Sequence, residues 1–444
     1  MSNQSILRIT RELSEIQRGS DLSLAVACRD IDVRHVRALI IGPPDTPYEF
    51  GFFEFTVKFT RDYPTKAPAV TAITTNSGRT RFNPNIYSGG RVCLSILGTW
   101  RGERGEEWSS AQGLESILIS IQSLMSQNPY ENEPGFEDAK SEYDKKNQDA
   151  YVAKIRHESL RISVIERLED YLDIDRGKVP GVTMYNAEED YKSGADDAAD
   201  IPFEPFKDLC KRRFLWYYES YIQSIDEELK KHKDGDRFEK MPFEGPGNTM
   251  EGTFQYSSLK SRIQVIFNKL NDEASLWATE GLEAVRKEMS IASNLQRQFE
   301  QIGEKYKKND AITIDLDLVE KNPFVWQLVL FGRPMTNLDG GVFRIIINIS
   351  PKFPDVLPRV RFETPIFHHR ISPKGVLCYD ARRKDDMRSH IEAIIEAIEE
   401  ESPAYDPRTL VNLEAAKLFW GAPDERKMYN RRLRRSVQDS SEFS

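Results

Sequence analysis

A cysteine that follows an asparagine-containing turn is the feature of this chain that most strongly predicts chemistry. Cys93 lies eight residues after Asn85, which ends an Asn-Pro-Asn turn beginning at Asn83, and it precedes an apolar stretch. A cysteine thiolate is a nucleophile that can carry a covalent intermediate. A lone cysteine is more often a small buried apolar side chain, which is how we interpret Cys28 and Cys210. The surroundings of Cys93 predict a reactive thiol instead.

Histidines are the usual partners of catalytic cysteines, and none lies next to Cys93 in the sequence. The six histidines are His35, His157, His232, His368, His369 and His390. Because folding can bring distant residues together, the sequence disfavours a cysteine hydrolase without excluding it.

The segments before and after Cys93 predict a sheet followed by a helix. Apolar and polar residues alternate from Phe53 to Phe59, which is typical of a half-buried antiparallel strand. Residues 33–41 predict a second strand, and the proline-rich residues 42–47 predict the turn between them. Residues 114–125 and 6–16 have the apolar spacing of amphipathic helices.

The same pattern occurs a second time. Phe53 aligns with Phe343 and Pro68 with Pro358 at an offset of 290, and after the loss of five residues Cys93 aligns with Cys378 at an offset of 285. Such self-similarity predicts two copies of one domain type. A mostly helical insert joins them, and residues 285–306 predict a single helix at the start of the second copy.

Composition narrows the class of protein. The chain has 444 residues, 39% hydrophobic residues and a formal net charge of −9. These values predict two or three globular domains with no general affinity for nucleic acid. No apolar run approaches the ~20 residues that span a bilayer, and the N-terminus has no secretion signal. The four separated cysteines predict no zinc site. We therefore expect a cytoplasmic or nuclear protein without metal or membrane partners.

The residues around Cys93 resemble the active site of the ubiquitin-conjugating enzymes, and residues 5–275 resemble the Z-type enzymes in particular. The matching strings are Gly51–Phe53, Arg81–Asn85, Val92–Trp100, Ile119–Met125 and Asn128–Glu137. This resemblance implies an α+β fold with an N-terminal helix, a four-stranded antiparallel meander and C-terminal helices. We expect a catalytic domain over residues 1–150, a helical extension over 151–280 and a second ubiquitin-conjugating-like domain over 281–444.

The resemblance also implies a reaction. An activating enzyme that has used ATP passes ubiquitin, or a ubiquitin-like modifier, to Cys93 as a thioester, and a substrate lysine then takes the modifier. Asn85 matches the residue that stabilises the oxyanion of the second step, and Asn83 stands where most members have histidine. Glu133 lies near the usual acid that orients the lysine, although a solvated loop acid is an equal alternative. The chain needs no cofactor of its own.

Two surfaces correspond to partner contacts in the family. Arg8 and Arg11 match the helix face that meets the activating enzyme, or they are merely solvated charges. Pro64, Ser109 and Ala111 match the contact with a ubiquitin ligase, next to the supporting residue Trp108. Ser110 and Thr65 depart from the family pattern at this contact, so the resemblance is a weaker basis for expecting a ligase partner.

The second copy differs from the first at the position of Asn85. Arg370 stands there, whereas Cys378 is retained and Asp406 resembles the family's acid beside the active site. We expect an inactive domain that serves binding or dimerisation, and activity at Cys378 is the alternative. A rival for the whole chain is a non-catalytic adaptor that binds ubiquitin or ligases.

Overall fold

Alternating apolar residues form an antiparallel meander in each half of the chain. The computed structural model describes residues 2–102, 105–175, 203–245, 249–307 and 314–441. The first sheet has the strand order β1-β2-β3-β4. Its strands are β1 (Leu24–Arg29), β2 (Asp32–Ile41), β3 (Phe52–Lys58) and β4 (Ala69–Ala72). Phe53, Phe55 and Val57 of β3 are buried in the core, as their alternation predicts.

Helices cover one face of the first sheet and continue beyond it. They are α1 (Ser2–Arg18), α2 (Leu114–Leu124), α3 (Glu142–Glu158), a π-helical stretch (Ser159–Glu166) and α4 (Arg167–Tyr171). Ile9 and Leu13 of α1 and Ile117 and Ile121 of α2 are buried in the same core as the strands. The segment that contains Cys93 is joined to β4 by a bridge between Thr71 and Arg91, and its Val92 and Ile96 belong to the same core.

The second sheet repeats the first. Its strands are β5 (Ile314–Leu318), β6 (Val325–Phe331), β7 (Val342–Asn348) and β8 (Arg359–Phe362), again in sequential order. The helices α8 (Met387–Glu399), α9 (Leu413–Phe419) and α10 (Pro423–Ser440) follow it. Both copies turn at a glycine with positive φ, Gly90 at 88° and Gly375 at 81°. A Cβ there would lie 2.8 Å from Ala72 O or 2.4 Å from Phe362 O, so both turns require glycine.

Three helices lie between the two sheets in the sequence: α5 (Lys207–Glu228), α6 (Tyr256–Arg286) and α7 (Ser290–Lys307). The helix predicted over residues 285–306 corresponds to α7, which begins only at Ser290, whereas Val285 and Arg286 end α6. The chain leaves α6 after Arg286, and Glu288 adopts a left-handed φ of 51° that interrupts the helical path. Among the described helices, none is both long and apolar enough to cross a membrane.

The described residues group into two compact units. The first contains residues 1–207 and 225–262, and the second contains residues 208–224 and 263–444. The residues of the helical extension are thus shared between the units. The three domain boundaries predicted from the sequence stay a prediction. The acidic break predicted around residues 177–200 lies outside the described residues.

Candidate active site

The Asn83-Pro84-Asn85 turn is held by a buried network of hydrogen bonds. Asn83 is fully buried, and its Nδ2 donates to Tyr48 Oη (3.0 Å) and to Leu124 O (2.8 Å). Tyr48 Oη in turn donates to Phe82 O at 2.6 Å. The Oδ1 atom of Asn83 accepts from the backbone N–H of Asn85 at 2.9 Å. Asn83, which was predicted only to support the site, therefore fixes the backbone of Asn85.

Replacing Asn83 with alanine should destabilise the first unit. The change leaves the Asn85 N–H without its acceptor and removes one donor from the Tyr48 hydroxyl, which keeps its bond to Phe82 O. A buried unsatisfied polar group costs about 1–3 kcal/mol, so we expect a loss of about 2 kcal/mol in unfolding free energy. The unfolding transition of the first unit, followed by chemical denaturation, measures this loss. A transition unchanged from that of the wild type would contradict the assignment.

Asn85 and Cys93 are joined by a reciprocal pair of hydrogen bonds. The Cys93 N–H donates to Asn85 O at 2.8 Å, and Asn85 Nδ2 donates to Cys93 O at 3.0 Å. The side-chain amide of Asn85 is therefore held against the backbone of Cys93. Cys93 is 4% exposed, while Asn85 and Leu94 on either side of it are only partly buried. The thiol thus lies just below the protein surface.

The acid predicted beside the site, Glu133, is engaged in an ion pair. Its Oε2 accepts from Arg81 Nη2 at 2.9 Å, and Arg81 is 6% exposed. The same guanidinium donates to Pro84 O, within the asparagine turn, and stacks over the ring of Tyr87. Glu133 is therefore not a freely solvated loop acid. Arg81 was not singled out by the sequence analysis, because nothing in its local pattern shows that residue 133 lies beside it.

The residues predicted to contact a ligase lie on one surface. Trp108 Nε1 donates to Pro64 O at 2.8 Å, which brings the loop of Ser109 and Ala111 to Pro64. Ser109 and Ala111 are exposed, and Pro64 is partly buried. This surface is accessible to a partner.

The two arginines predicted on the first helix differ in their surroundings. Arg8 donates through Nε to Glu12 and through Nη2 to Gln112 O (2.8 Å), so it joins α1 to the loop that follows Trp108. Arg11 is 80% exposed and pairs with Glu15 on its own helix. Arg11 is thus available at the surface, whereas Arg8 also has a role in holding the fold.

The three histidines of the first unit have partners of their own. His35 pairs with Asp32, His157 contacts Glu158, and His232 stacks on Phe254. In the described ranges we find no cluster of three His, Cys, Asp or Glu side chains that could hold a metal ion. Within the described residues of the first unit, none of these contacts joins a histidine to Cys93.

In the second unit, the turn keeps its backbone geometry but loses its amide donor. The Cys378 N–H donates to Arg370 O at 2.9 Å, and the Arg370 N–H donates to His368 Nδ1 at 3.1 Å. The first bond corresponds to that from the Cys93 N–H to Asn85 O, and the second to that from the Asn85 N–H to Asn83 Oδ1. Asp406 caps the short helix at Pro407 and pairs with Arg408, so its carboxylate is already engaged.

Cys378 is more deeply enclosed than Cys93. It is 1% exposed, and burial raises the pKa of its thiol to about 12 despite the nearby Arg370 and Arg213. Tyr217 of α5 is buried near Cys378. Burial raises the pKa of the tyrosine hydroxyl, and the charge of an ionised Cys378 would raise it further. Burial lowers the pKa of His368 to about 3, so that histidine is neutral and cannot donate a proton readily. The burial of Cys378 therefore disfavours a thiolate there.

Comparison with known proteins gives matches over both copies. The family model of the ubiquitin-conjugating enzymes matches residues 8–159 and 294–437. Ubiquitin-conjugating enzyme E2 Z of Xenopus tropicalis is 38% identical over 272 residues, which are 61% of this chain and 74% of that protein. The Homo sapiens E2 Z is 38% identical over 60% of this chain and 64% of its own length. A dual conjugating enzyme and ligase, BIRC6 of Homo sapiens, is 38% identical over 34% of this chain and 3% of its own length.

Solved structures give partial matches of the same kind. A ubiquitin-conjugating enzyme domain of Toxoplasma gondii is 28% identical, with a TM-score of 0.28, over 35% of this chain and 97% of its own. Human ubiquitin-conjugating enzyme E2 G1 is 32% identical, with a TM-score of 0.25, over 28% of this chain and 96% of its own. Scores this low add no structural argument to the sequence matches.

Proposed function

Because this chain belongs to the ubiquitin-conjugating enzyme family, we propose that Cys93 is the residue that carries the modifier and that Asn85 assists its transfer to lysine. The chain is an enzyme whose partners are ubiquitin, an activating enzyme and protein substrates. The observation that carries the assignment of residues is the reciprocal pair of hydrogen bonds between Asn85 and Cys93 inside the matched range.

The first step is an exchange of thioesters at Cys93. The Cys93 thiolate attacks the carbonyl carbon of the modifier's C-terminus, which the activating enzyme holds as a thioester. A new S–C bond forms, and the cysteine of the activating enzyme leaves as a thiolate. A thioester is a reactive acyl donor, so this step does not require a histidine beside Cys93. The activating enzyme consumes the ATP, and the chain itself needs no cofactor.

The second step is attack of a substrate lysine on the Cys93 thioester. A C–N bond forms through a tetrahedral oxyanion, the C–S bond then breaks, and the amine loses a proton. An amide NH₂ group has two N–H donors. Cys93 O accepts one from Asn85, and we assign the second to the oxyanion, where one such donor is worth about 3–4 kcal/mol.

The adduct with the modifier tests this proposal. Incubating the full chain with activating enzyme, ubiquitin and ATP should give a ubiquitin adduct that a thiol reductant cleaves. A chain that gives no such adduct with any activating enzyme and modifier tried would overturn the proposal. A panel of activating enzymes, each tried with ubiquitin and with ubiquitin-like modifiers, would identify the natural pair.

We further propose that the partner surfaces follow the family pattern. Arg11, with Arg8 beside it, is assigned to the activating enzyme, and Pro64, Ser109 and Ala111 to a ligase. The exposure of Arg11, Ser109 and Ala111 supports this assignment. The reaction is assigned to the cytoplasm or nucleus, where the four cysteines stay reduced.

The second unit is assigned a binding role rather than a second thioester site. A thiol with a pKa of about 12 is ionised in roughly one molecule in ten thousand at pH 8, so Cys378 is a poor nucleophile. Arg370 also replaces the amide donor that Asn85 supplies in the first unit.

Alkylation of the native chain measures the difference between the two thiols. We expect iodoacetamide to modify Cys93 at least roughly ten times faster than Cys378, because only thiolates react and burial raises the pKa of the Cys378 thiol to about 12. Mass spectrometry of the digested protein gives both rates. Cys210, which is fully buried, serves as the internal control and should be protected like Cys378. Equal rates at Cys93 and Cys378 would contradict the assignment.

A further inference from the structure

A segment of the helical extension, residues 239–244, packs into the first unit beside α3. Lys154 of α3 is fully buried, and its Nζ donates to Glu239 O (2.8 Å) and to Glu244 Oε1 (2.6 Å). Met241, between these two residues, is 1% exposed and belongs to the core of the unit. Moving the segment away would leave the charge of Lys154 buried without its partner Glu244, which is unfavourable. The segment is therefore firmly held in place.

Phe243 lies in this segment and completes a cluster of four rings. Its ring centroid is 5.3 Å from that of Tyr130, 5.5 Å from Phe136 and 5.4 Å from Tyr151. Tyr130 and Phe136 also contact each other edge to face at 5.2 Å. Aromatic pairs at these distances are stabilising beyond the area that they bury. Phe243 therefore packs against both ends of the loop of residues 129–136.

The 129–136 loop carries the polar groups that reach the asparagine turn. Glu133 lies between Tyr130 and Phe136 in the sequence. Its N–H donates to Tyr130 O, and its backbone oxygen accepts from the Phe136 N–H. Its carboxylate holds Arg81, which donates to Pro84 O. The position of the loop thus sets the position of the residue that precedes Asn85.

We propose that Phe243 is a positioning residue for transfer to lysine, acting through the 129–136 loop and Arg81 on the amide of Asn85. The inference depends on the proposed role of Asn85 as the oxyanion donor. Both steps pass through a tetrahedral oxyanion, but we expect loading of Cys93 to depend less on that amide, because a thiolate is the stronger nucleophile and no proton has to leave the attacking atom. A displaced loop therefore slows the second step more than the first.

Single-turnover assays on the full chain separate the two steps. One assay follows loading of Cys93 with ubiquitin by the activating enzyme, and the other follows discharge of the purified adduct to free lysine. We expect Phe243→Ala to slow discharge at least about tenfold, because small displacements of a catalytic group have effects of this size. Loading should stay within about twofold of the wild type. Phe243→Tyr, which keeps the ring, should restore discharge.

A matched control is available just before this segment of the extension. Phe238 is partly buried like Phe243, but its ring contacts His157 and Phe254 and not the 129–136 loop. Phe238→Ala should discharge at the rate of the wild type even where thermal melts show a comparable loss of stability. Equal discharge defects in the two alanine variants would overturn the proposal, as would a parallel loss of loading and discharge in Phe243→Ala.

A double variant tests whether the effect passes through Asn85. In an Asn85→Ala background, Phe243→Ala should slow discharge no further, whereas independent effects would multiply. A multiplied defect would overturn the positioning role. If Asn85→Ala itself discharges normally, the proposed role of Asn85 fails first, which distinguishes that failure from failure of the Phe243 proposal alone.

Discussion

Replacing Cys93 with alanine is expected to abolish the reductant-sensitive ubiquitin adduct, whereas replacing Cys378 should leave the adduct unchanged. The two thiols occupy corresponding positions in two similar turns. The backbone oxygen of Cys93 accepts a hydrogen bond from an asparagine amide, whereas burial raises the pKa of the second thiol, that of Cys378, to about 12. We expect complete loss of the adduct in Cys93→Ala and no loss in Cys378→Ala. Non-reducing gels of reactions with activating enzyme, ubiquitin and ATP measure it.

The Cys378→Ala variant is the matched control of this experiment, since it removes a thiol from the same kind of turn. An adduct that survives Cys93→Ala and disappears with Cys378→Ala would reverse the assignment of the two copies. An adduct that requires both cysteines would mean that the second unit takes part in the transfer.

Replacing Asn85 with alanine should leave loading of Cys93 intact and slow transfer to lysine by about 10²–10³-fold, which is the usual effect of removing one oxyanion donor. The physical reason is that the Asn85 amide is held at the Cys93 residue by its bond to the backbone oxygen, and we assign its second N–H to the oxyanion of the thioester. Asn85→Asp, which keeps the size of the side chain but has no N–H, should show the same loss. Single-turnover loading and discharge measure the two steps separately.

An equal loss of both steps would assign Asn85 a structural role, in which its amide only holds the backbone of Cys93. The Asn83→Ala variant helps to recognise this outcome. Asn83 holds the same turn from inside the protein, so its loss should affect stability as well as rate.

Local sequence was enough to predict the turn, the cysteine and the repeated sheet. The alternation at Phe53–Phe59 corresponds to β3, and the offset of 285 places Arg370 and Cys378 in the same backbone bonds as Asn85 and Cys93. These features depend on neighbours along one strand or within one turn. The predicted family and conjugating activity are confirmed by the matches over both copies.

Contacts between distant segments could not be predicted in the same way. Glu133 and Arg81 are 52 residues apart in the sequence. Phe243 meets Tyr130 where the ion pair of Lys154 and Glu244 holds residues 239–244 against α3. No periodicity encodes such pairings, since they result from packing in three dimensions. The break between α6 and α7 was missed for a related reason. The apolar spacing continues across it, and only the left-handed backbone at Glu288 interrupts the helix.

The way in which α5 is shared between the units bears on where this chain could be divided. Asp208–Ser224 group with the second unit, and Asp208 pairs with Arg359 of β8 at 2.7 Å. Yet these residues lie within residues 5–275, the portion that resembles the Z-type enzymes. A fragment cut at the end of that resemblance would keep this stretch of helix and lose Arg359, so the border of sequence similarity is not a border of folding.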